Sequence, residues 1–336
     1  ALVAAKKAEQ WDNKSGFLGI VPEGFGVEVV SLPAESKLDP TETPDPSDPN
    51  LIDLVVSSDR SDAVPEEVFI EPPFWGTRVL LEEELPIDQI FAYLDKQALF
   101  AGQWQLRKNQ KQSRPEYEIM LQEKAEPVLT EWMQRICEEK LLSPRVIYGY
   151  FPCGRNANSV VVFDPLNSVK CLGKFELPRQ KSGNRYCIAD FYRDLENEKP
   201  TDVIPMQAVT MGAAATAFAK QLFEDNKYTD YLYFHGLGVQ LAEALAELVH
   251  ARIRKEMGFE NVEPKTLKDV LAQRYRGSRY SFGYPACPNV ADSRPQLDWL
   301  GADRIGLTMD ESDQLDPEQS TTALVALHSQ ARYFSA

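Results

Sequence analysis

The sequence predicts an α+β fold, an antiparallel β-sheet flanked by helices within one domain that takes up most of the chain. Short runs rich in β-branched and aromatic residues are interleaved with long amphipathic ones. Neighbouring strand-like runs, Val146 to Phe151 and Ser159 to Phe163, are too close for a parallel crossover, which favours antiparallel pairing. A chain of 336 residues is long enough for one large domain or two smaller ones.

In chain order, residues 1–31 read as an N-terminal segment preceding the domain, charged at first, then apolar and glycine-interrupted from Phe17 to Val30. Residues 32–66 turn to Pro, Asp, Ser and Thr and carry too little apolar surface to offset their ordering entropy. They read as a linker or surface excursion, within which Leu51 to Val56 could dock as an edge strand. The domain proper is predicted over 67–336. Pro72-Pro73-Phe74-Trp75-Gly76 forms a rigid aromatic turn. Pro86 to Phe100 has helical spacing, and Pro115 to Leu141 reads as a long amphipathic helix with its proline in the first turn. Strands follow at 146–151 and 159–163 around a loop at 152–158, then at 187–192 and 203–210. Helices are predicted at about 211–226 and 229–257, and a last pair of strands at 304–309 and 321–328.

Lys and Arg number 36 against 51 Asp and Glu, a formal net charge of −15, which argues against a nucleic-acid footprint or a membrane-surface role. No apolar run reaches the length of a membrane span, and no secretory signal pattern opens the chain. The 5 cysteines (137, 153, 171, 187 and 287) never form Cys-x-x-Cys, as expected of reduced thiols in a cytoplasmic protein, most of them packed as small apolar residues. The chain opens on Ala1 rather than Met, which reads as a fragment of something longer.

The predicted helix at 229–257 carries an apolar stripe of Leu237, Leu241, Leu245 and Leu248, and a polar one of Glu243, Glu247, His250 and Arg254. Glu247-x-x-His250 has the spacing of a di-iron carboxylate helix, but no second Glu-x-x-His occurs, and an ion-paired polar face accounts for the stripe. With 3 histidines, no nucleophile elbow and no phosphate loop, most triad, metal and nucleotide-hydrolysis chemistries drop out. Gly236 and Gly238 inside the helical run read as close helix packing. Arg107 to Arg114 is a basic run, read as a solvated loop or as a docking patch for an acidic partner.

The segment Arg279 to Pro288 (RYSFGYPACP) concentrates a fixed cation, three aromatics and a glycine on one short connector. Arg offers a planar fork for a carboxylate, Gly283 permits close backbone approach, and Tyr280, Phe282 and Tyr284 offer faces for a heterocycle or a cation. S-adenosylmethionine (AdoMet) carries those three features. A structural turn whose Arg pairs with a surface carboxylate would also satisfy the composition.

Arg279-x-x-x-Gly283-Tyr284 followed by Pro285-Ala286-Cys287-Pro288 resembles the AdoMet-binding signature of the C-terminal activation domain of cobalamin-dependent methionine synthase. Tyr150-Phe151-Pro152, Tyr186-Cys187-Ile188-Ala189-Asp190-Phe191, Ala208-Val209-Thr210, Leu241-Ala242-Glu243-Ala244 and the closing Arg332-Tyr333-Phe334 extend the resemblance from about Pro72 to the C-terminus. It implies a C-shaped domain built on a twisted antiparallel sheet. It also implies a reactivation role: AdoMet on this domain methylates reduced cobalamin, held mainly by another domain of the parent enzyme, after a flavodoxin-type reductase supplies an electron to inactive cob(II)alamin. The parent activity is methyl transfer from methyltetrahydrofolate to homocysteine, in methionine biosynthesis. No side chain is then needed for acid–base catalysis, because positioning an activated methyl suffices.

By resemblance Arg279 clamps the methionine carboxylate, the backbone at Ser281 to Gly283 approaches the adenosine, and Tyr284, Tyr333 and Phe334 line the ligand. Glu71 stands where the family often has an acidic ligand contact, and Glu243 matches an acidic helix position facing the cobalamin side. Two departures stand out: the register at Glu71-Pro72-Pro73-Phe74-Trp75 is shifted, and Tyr333-Phe334 replaces a pair of tyrosines. No Asp-x-His-x-x-Gly supplies a lower cobalt ligand, so this chain alone is not expected to make methionine. The alternative is a non-catalytic module that docks a flavodoxin-type reductase and a corrinoid domain.

Overall fold

The computed structural model describes residues 59–336; the predicted segment 1–31, most of 32–66 and the strand proposed at Leu51 to Val56 lie outside the described residues. Seven strands form one antiparallel sheet: β1 (Gly76–Leu80), β2 (Arg145–Asn156), β3 (Ser159–Asp164), β4 (Asn167–Glu176), β5 (Asp202–Thr210), β6 (Ser278–Tyr280) and β9 (Ser320–Ala326). Their order is β4-β3-β2-β5-β9-β6, with β1 also on β2, while β7 (Thr308–Met309) and β8 (Leu315–Asp316) form a separate two-stranded ladder. Along β2, β1 lies opposite Val146 to Tyr150 and β3 opposite Cys153 to Asn156. Pro152 falls in the gap between them, where a central strand can accommodate a residue without an N–H. The predicted loop at 152–158 is therefore mostly strand, and the turn shrinks to Ala157 and Asn158, with Ala157 at φ 57°.

The helices are α1 (Ile87–Phe91), α2 (Arg114–Met120), α3 (Glu126–Glu139), α4 (Ala213–Glu224), α5 (Tyr228–Glu256), α6 (Leu267–Leu271) and α7 (Ser293–Leu300). The helix predicted from Pro115 is α2 and α3 joined by one wider π segment. It starts at Ser113, whose hydroxyl accepts the Glu116 N–H while Glu116 accepts the Ser113 N–H at 2.7 Å. The run from Pro86 to Phe100 instead breaks after α1, because Asp95 caps a second helical turn by accepting the Ala98 N–H at 3.0 Å.

The predicted strand at 187–192 is a 3-10 turn, Ile188–Phe191. Its four residues are all buried, so alternation was never present, and Asp190 folds the run back by accepting the Cys187 N–H at 3.2 Å. The strand predicted at 304–309 is likewise a 3-10 turn, Ala302–Ile305, that ends at Gly306 before the two residues of β7. Residues 60–65 make contacts of their own with the sheet domain. Val64 is 1% exposed in the core, the Arg60 guanidinium donates to the carbonyls of Asp190 and Tyr192, and His328 Nε2 donates to Pro65 O at 2.7 Å.

Two cores lie on the two faces of the sheet, and β5 feeds both by strict alternation: Val203 and Val209 on one side, Ile204, Met206 and Ala208 on the other. Leu237, Leu241 and Leu245 of α5 pack into the first core. Gly236 fits there because a Cβ would come within 2.8 Å of Gln103 Cβ, the close packing expected of that glycine.

Candidate functional site

Among the described residues β6 is an edge strand of three residues paired only to β9, with Arg279 opposite Val325 and Tyr280 opposite Leu324. Directly opposed residues in an antiparallel pair share a face. Val325 belongs to the helix-side core and Leu324 to the other, so Arg279 is turned toward α5 and Tyr280 away from it. On α5, Glu243 and Glu247 lie one turn apart on the face that meets it. Arg279 Nη2 pairs with Glu243 Oε2 at 3.1 Å, and Arg279 Nε with Glu247 Oε2 at 3.3 Å.

Behind this pair lies a buried network. Tyr275 donates its hydroxyl to Glu247 Oε2 at 3.2 Å, Arg254 Nη1 stands 3.5 Å from Glu247 Oε1, and both nitrogens on the other edge of Arg254 engage Glu263. The Arg254 guanidinium lies over the Tyr275 ring, 3.8 Å from its centroid. His250 is wholly buried and edge-on to the same ring, with Nδ1 3.7 Å from Glu247, beyond hydrogen-bond reach, and neither ring nitrogen partnered. Burial pushes the imidazole down to about 4, so it is neutral at neutral pH. Burial works to raise the Glu247 carboxyl, but His250 and the Arg279 and Arg254 guanidiniums outweigh it and hold it at about 2. The Glu247-x-x-His250 pair is thus one corner of an ion-paired face, its carboxylate taken up by two arginines and a phenol.

After β6 the chain turns at Gly283, whose φ of 94° favours glycine. The turn is closed by Gly283 N–H to Cys287 O at 2.9 Å, Cys287 N–H to Tyr284 O at 2.9 Å, and the Cys287 thiol to Ser281 O at 3.0 Å. Cys287 is buried, as are Cys153 and Cys187, whereas Cys137 and Cys171 are exposed. Tyr284 is half-buried, and burial, with Glu243 nearby, pushes its hydroxyl up to about 12; Arg279 and Tyr333 complete its charged and polar surroundings. Arg279 and Glu243 are thus paired, Tyr284 lies within their electrostatic reach, and Tyr333, which also influences Tyr284, is 49% exposed.

Other expected ligand contacts lie elsewhere. Phe334 is buried and packs against Tyr186, Phe191 and Tyr280, because the chain's last turn inserts that ring into the second core. Tyr280 and Phe282 are core rings too, the first donating its hydroxyl to Arg332 O at 2.8 Å, the second tilted at 48° against Phe175 with ring centroids 4.9 Å apart. Glu71 is exposed, and no hydrogen bond or ion pair joins it to this group among the described residues. One concavity among the described residues is lined by Arg60, Glu67, Arg276 and His328, and another by Phe69, Trp75, Pro152 and Leu166. Neither of these is lined by Arg279. Sequence reasoning overlooked the parts of Tyr275 and Glu263; the polar stripe on α5 was the one signal that partners for it must exist.

Comparison with known proteins places the chain in a family. Residues 86–336 match the family model described as the activation domain of vitamin B12 dependent methionine synthase. The methionine synthase of Mycobacterium tuberculosis (strain ATCC 25618 / H37Rv) is 40% identical over 288 residues, covering 82% of this chain and 24% of the relative. That of Mycobacterium leprae (strain TN) is 42% identical over 275 residues, covering 79% of this chain and 23% of the relative. The chain thus spans about a quarter of the length of these relatives. A crystal structure of the MetH reactivation domain bound to AdoHcy shares the fold, with a TM-score of 0.70 at 23% identity over 80% of this chain and 83% of that one. The chain belongs to the family of activation domains of vitamin B12-dependent methionine synthase.

Proposed function

We propose that this domain binds AdoMet along β6 and the turn after it, and presents the sulfonium methyl to reduced cobalamin carried by another domain of a parent methionine synthase. AdoMet supplies a methyl already activated for transfer, and the cobalamin, reduced by one electron from a flavodoxin-type partner, is the nucleophile that takes it and leaves AdoHcy. The observation that carries the reading is Arg279, a half-buried guanidinium on an edge strand, paired with Glu243 and near Tyr284. A zwitterionic amino-acid head needs a cation for its carboxylate and finds one there. Gly283 lets the backbone come close to a purine ring, and Ser281 stands beside it. Glu243 borders the same surface, on the side assigned to cobalamin, with 40% of its side chain exposed. A neighbour of the same fold is described as bound to AdoHcy, the demethylated product of AdoMet, which supports the same ligand here.

Titrating AdoMet into the purified domain by calorimetry tests this. Saturable binding is expected, weakened in Arg279→Ala by about 1.5–3 kcal/mol, the scale of a charged hydrogen bond. Folded wild-type protein that binds no AdoMet, yet associates with a flavodoxin in a salt-sensitive way, would replace the reading with that of a docking module.

A further inference from the structure

We propose that Glu247 is a positioning residue of this site: it holds Arg279 by Nε–H so that the Nη edge faces a ligand carboxylate, while Glu243 occupies that edge only until the ligand arrives. The inference rests on the AdoMet reading above. The two carboxylates on Arg279 differ in the way the proposal needs. The Glu247 side chain is 10% exposed and is fastened by Tyr275 at 3.2 Å and Arg254 at 3.5 Å, and Arg254 is itself fixed by Glu263 and the Tyr275 ring. It cannot swing away without stripping the Tyr275 phenol and the buried Nη1 of Arg254 of their contact. The Glu243 side chain is 40% exposed, and among the described residues Arg279 is its hydrogen-bonding partner. It can exchange that contact for water at little cost.

The geometry of the guanidinium divides the roles further. Nε is taken by Glu247 and Nη2 by Glu243, while Nη1 makes no hydrogen bond among the described residues. A ligand carboxylate that displaces Glu243 therefore meets a free end-on pair, Nη1 and Nη2, already oriented by the bond at Nε. The Glu247 carboxyl, held down at about 2 by His250 and the two guanidiniums, stays ionised at neutral pH.

The test compares AdoMet with 5′-methylthioadenosine, which keeps the nucleoside and lacks the amino-acid head, on wild type and Glu247→Gln. The expected result is AdoMet binding weakened about tenfold, with binding of 5′-methylthioadenosine unchanged, since only the carboxylate senses Arg279. Equal AdoMet affinity in both proteins overturns the proposal, and so does an equal loss for both nucleosides, which marks a merely structural effect. If Glu247→Gln does not fold, Tyr275→Phe takes its place, with about a threefold loss confined to AdoMet. A ligand-free readout separates this from failure of the AdoMet reading: the Arg279 Nε–H resonance, identified by its absence in Arg279→Lys, should be sharp in wild type and lost in Glu247→Gln. Its persistence there overturns the positioning role even if wild type binds neither nucleoside.

Discussion

Acidifying the domain drives a proton toward His250, and the surroundings of that ring set the stability lost. The imidazole is wholly buried, both nitrogens lack hydrogen-bond partners, and the charges facing it are Arg254 and Arg279 as well as Glu247. Its pKa lies at about 4 in the fold, against an ordinary value of 6.5. Below pH 6.5 the unfolded chain takes up a proton that the folded one refuses until about pH 4, so stability is complete above that window and falls as pH falls. The loss integrates to about 2 kcal/mol at about pH 5 and about 3 kcal/mol at about pH 4. Glu247, at about 2 against 4.5, adds a loss of the same sign only below about pH 4.5. Urea unfolding of wild type and His250→Leu at about pH 7.5 and about pH 5 isolates the ring. The variant should be close to wild type at the higher pH, because it removes two unpartnered polar atoms, and its acid-induced loss should be smaller by about 2 kcal/mol. A variant that loses as much stability as wild type between the two conditions would refute the reasoning.

Phe334→Ala should cost about 3 kcal/mol in urea unfolding, as expected for a ring buried among Tyr186, Phe191 and Tyr280. Tyr333→Ala should change stability by less than about 0.5 kcal/mol while weakening AdoMet binding; the reverse pattern would mean the two neighbours have been assigned to the wrong sides. Arg179→Met takes from Asp190, a fully buried carboxylate, the guanidinium that holds both of its oxygens, leaving Arg155 at 3.4 Å and the Cys187 and Ser61 N–H groups. A loss of about 3–5 kcal/mol is expected, and a midpoint shift equivalent to less than about 1 kcal/mol would show that Arg155 takes over.

Where a segment's burial follows its own periodicity, the sequence was legible. β5 alternates between two cores, α5 places a leucine on the core every turn, and both stand where the pattern predicts them. The run from Cys187 to Tyr192 carried no such information: Ile188, Ala189, Asp190 and Phe191 are buried on every side, and the turn is set by Arg179 gripping Asp190 across the chain. Residues 32–66 read as a linker or surface excursion from their polar composition; in their described part, Val64 is buried and Arg60 donates to carbonyls more than a hundred residues away.

For the site, the residue types and their spacing were enough to mark the family, the cation and the glycine turn, because those depend on local chemistry alone. Which rings remain at the surface depended on pairing. β6 is three residues long, and its register against β9 sets Arg279 opposite Val325 on the helix side and Tyr280 opposite Leu324 in the core. A slip of one residue would exchange the two faces. Glu243 and Glu247 were visible as a stripe on one helix, but their cation comes from a strand more than thirty residues later. Periodicity along a chain specifies which face a side chain shares; only the packed fold specifies what that face meets.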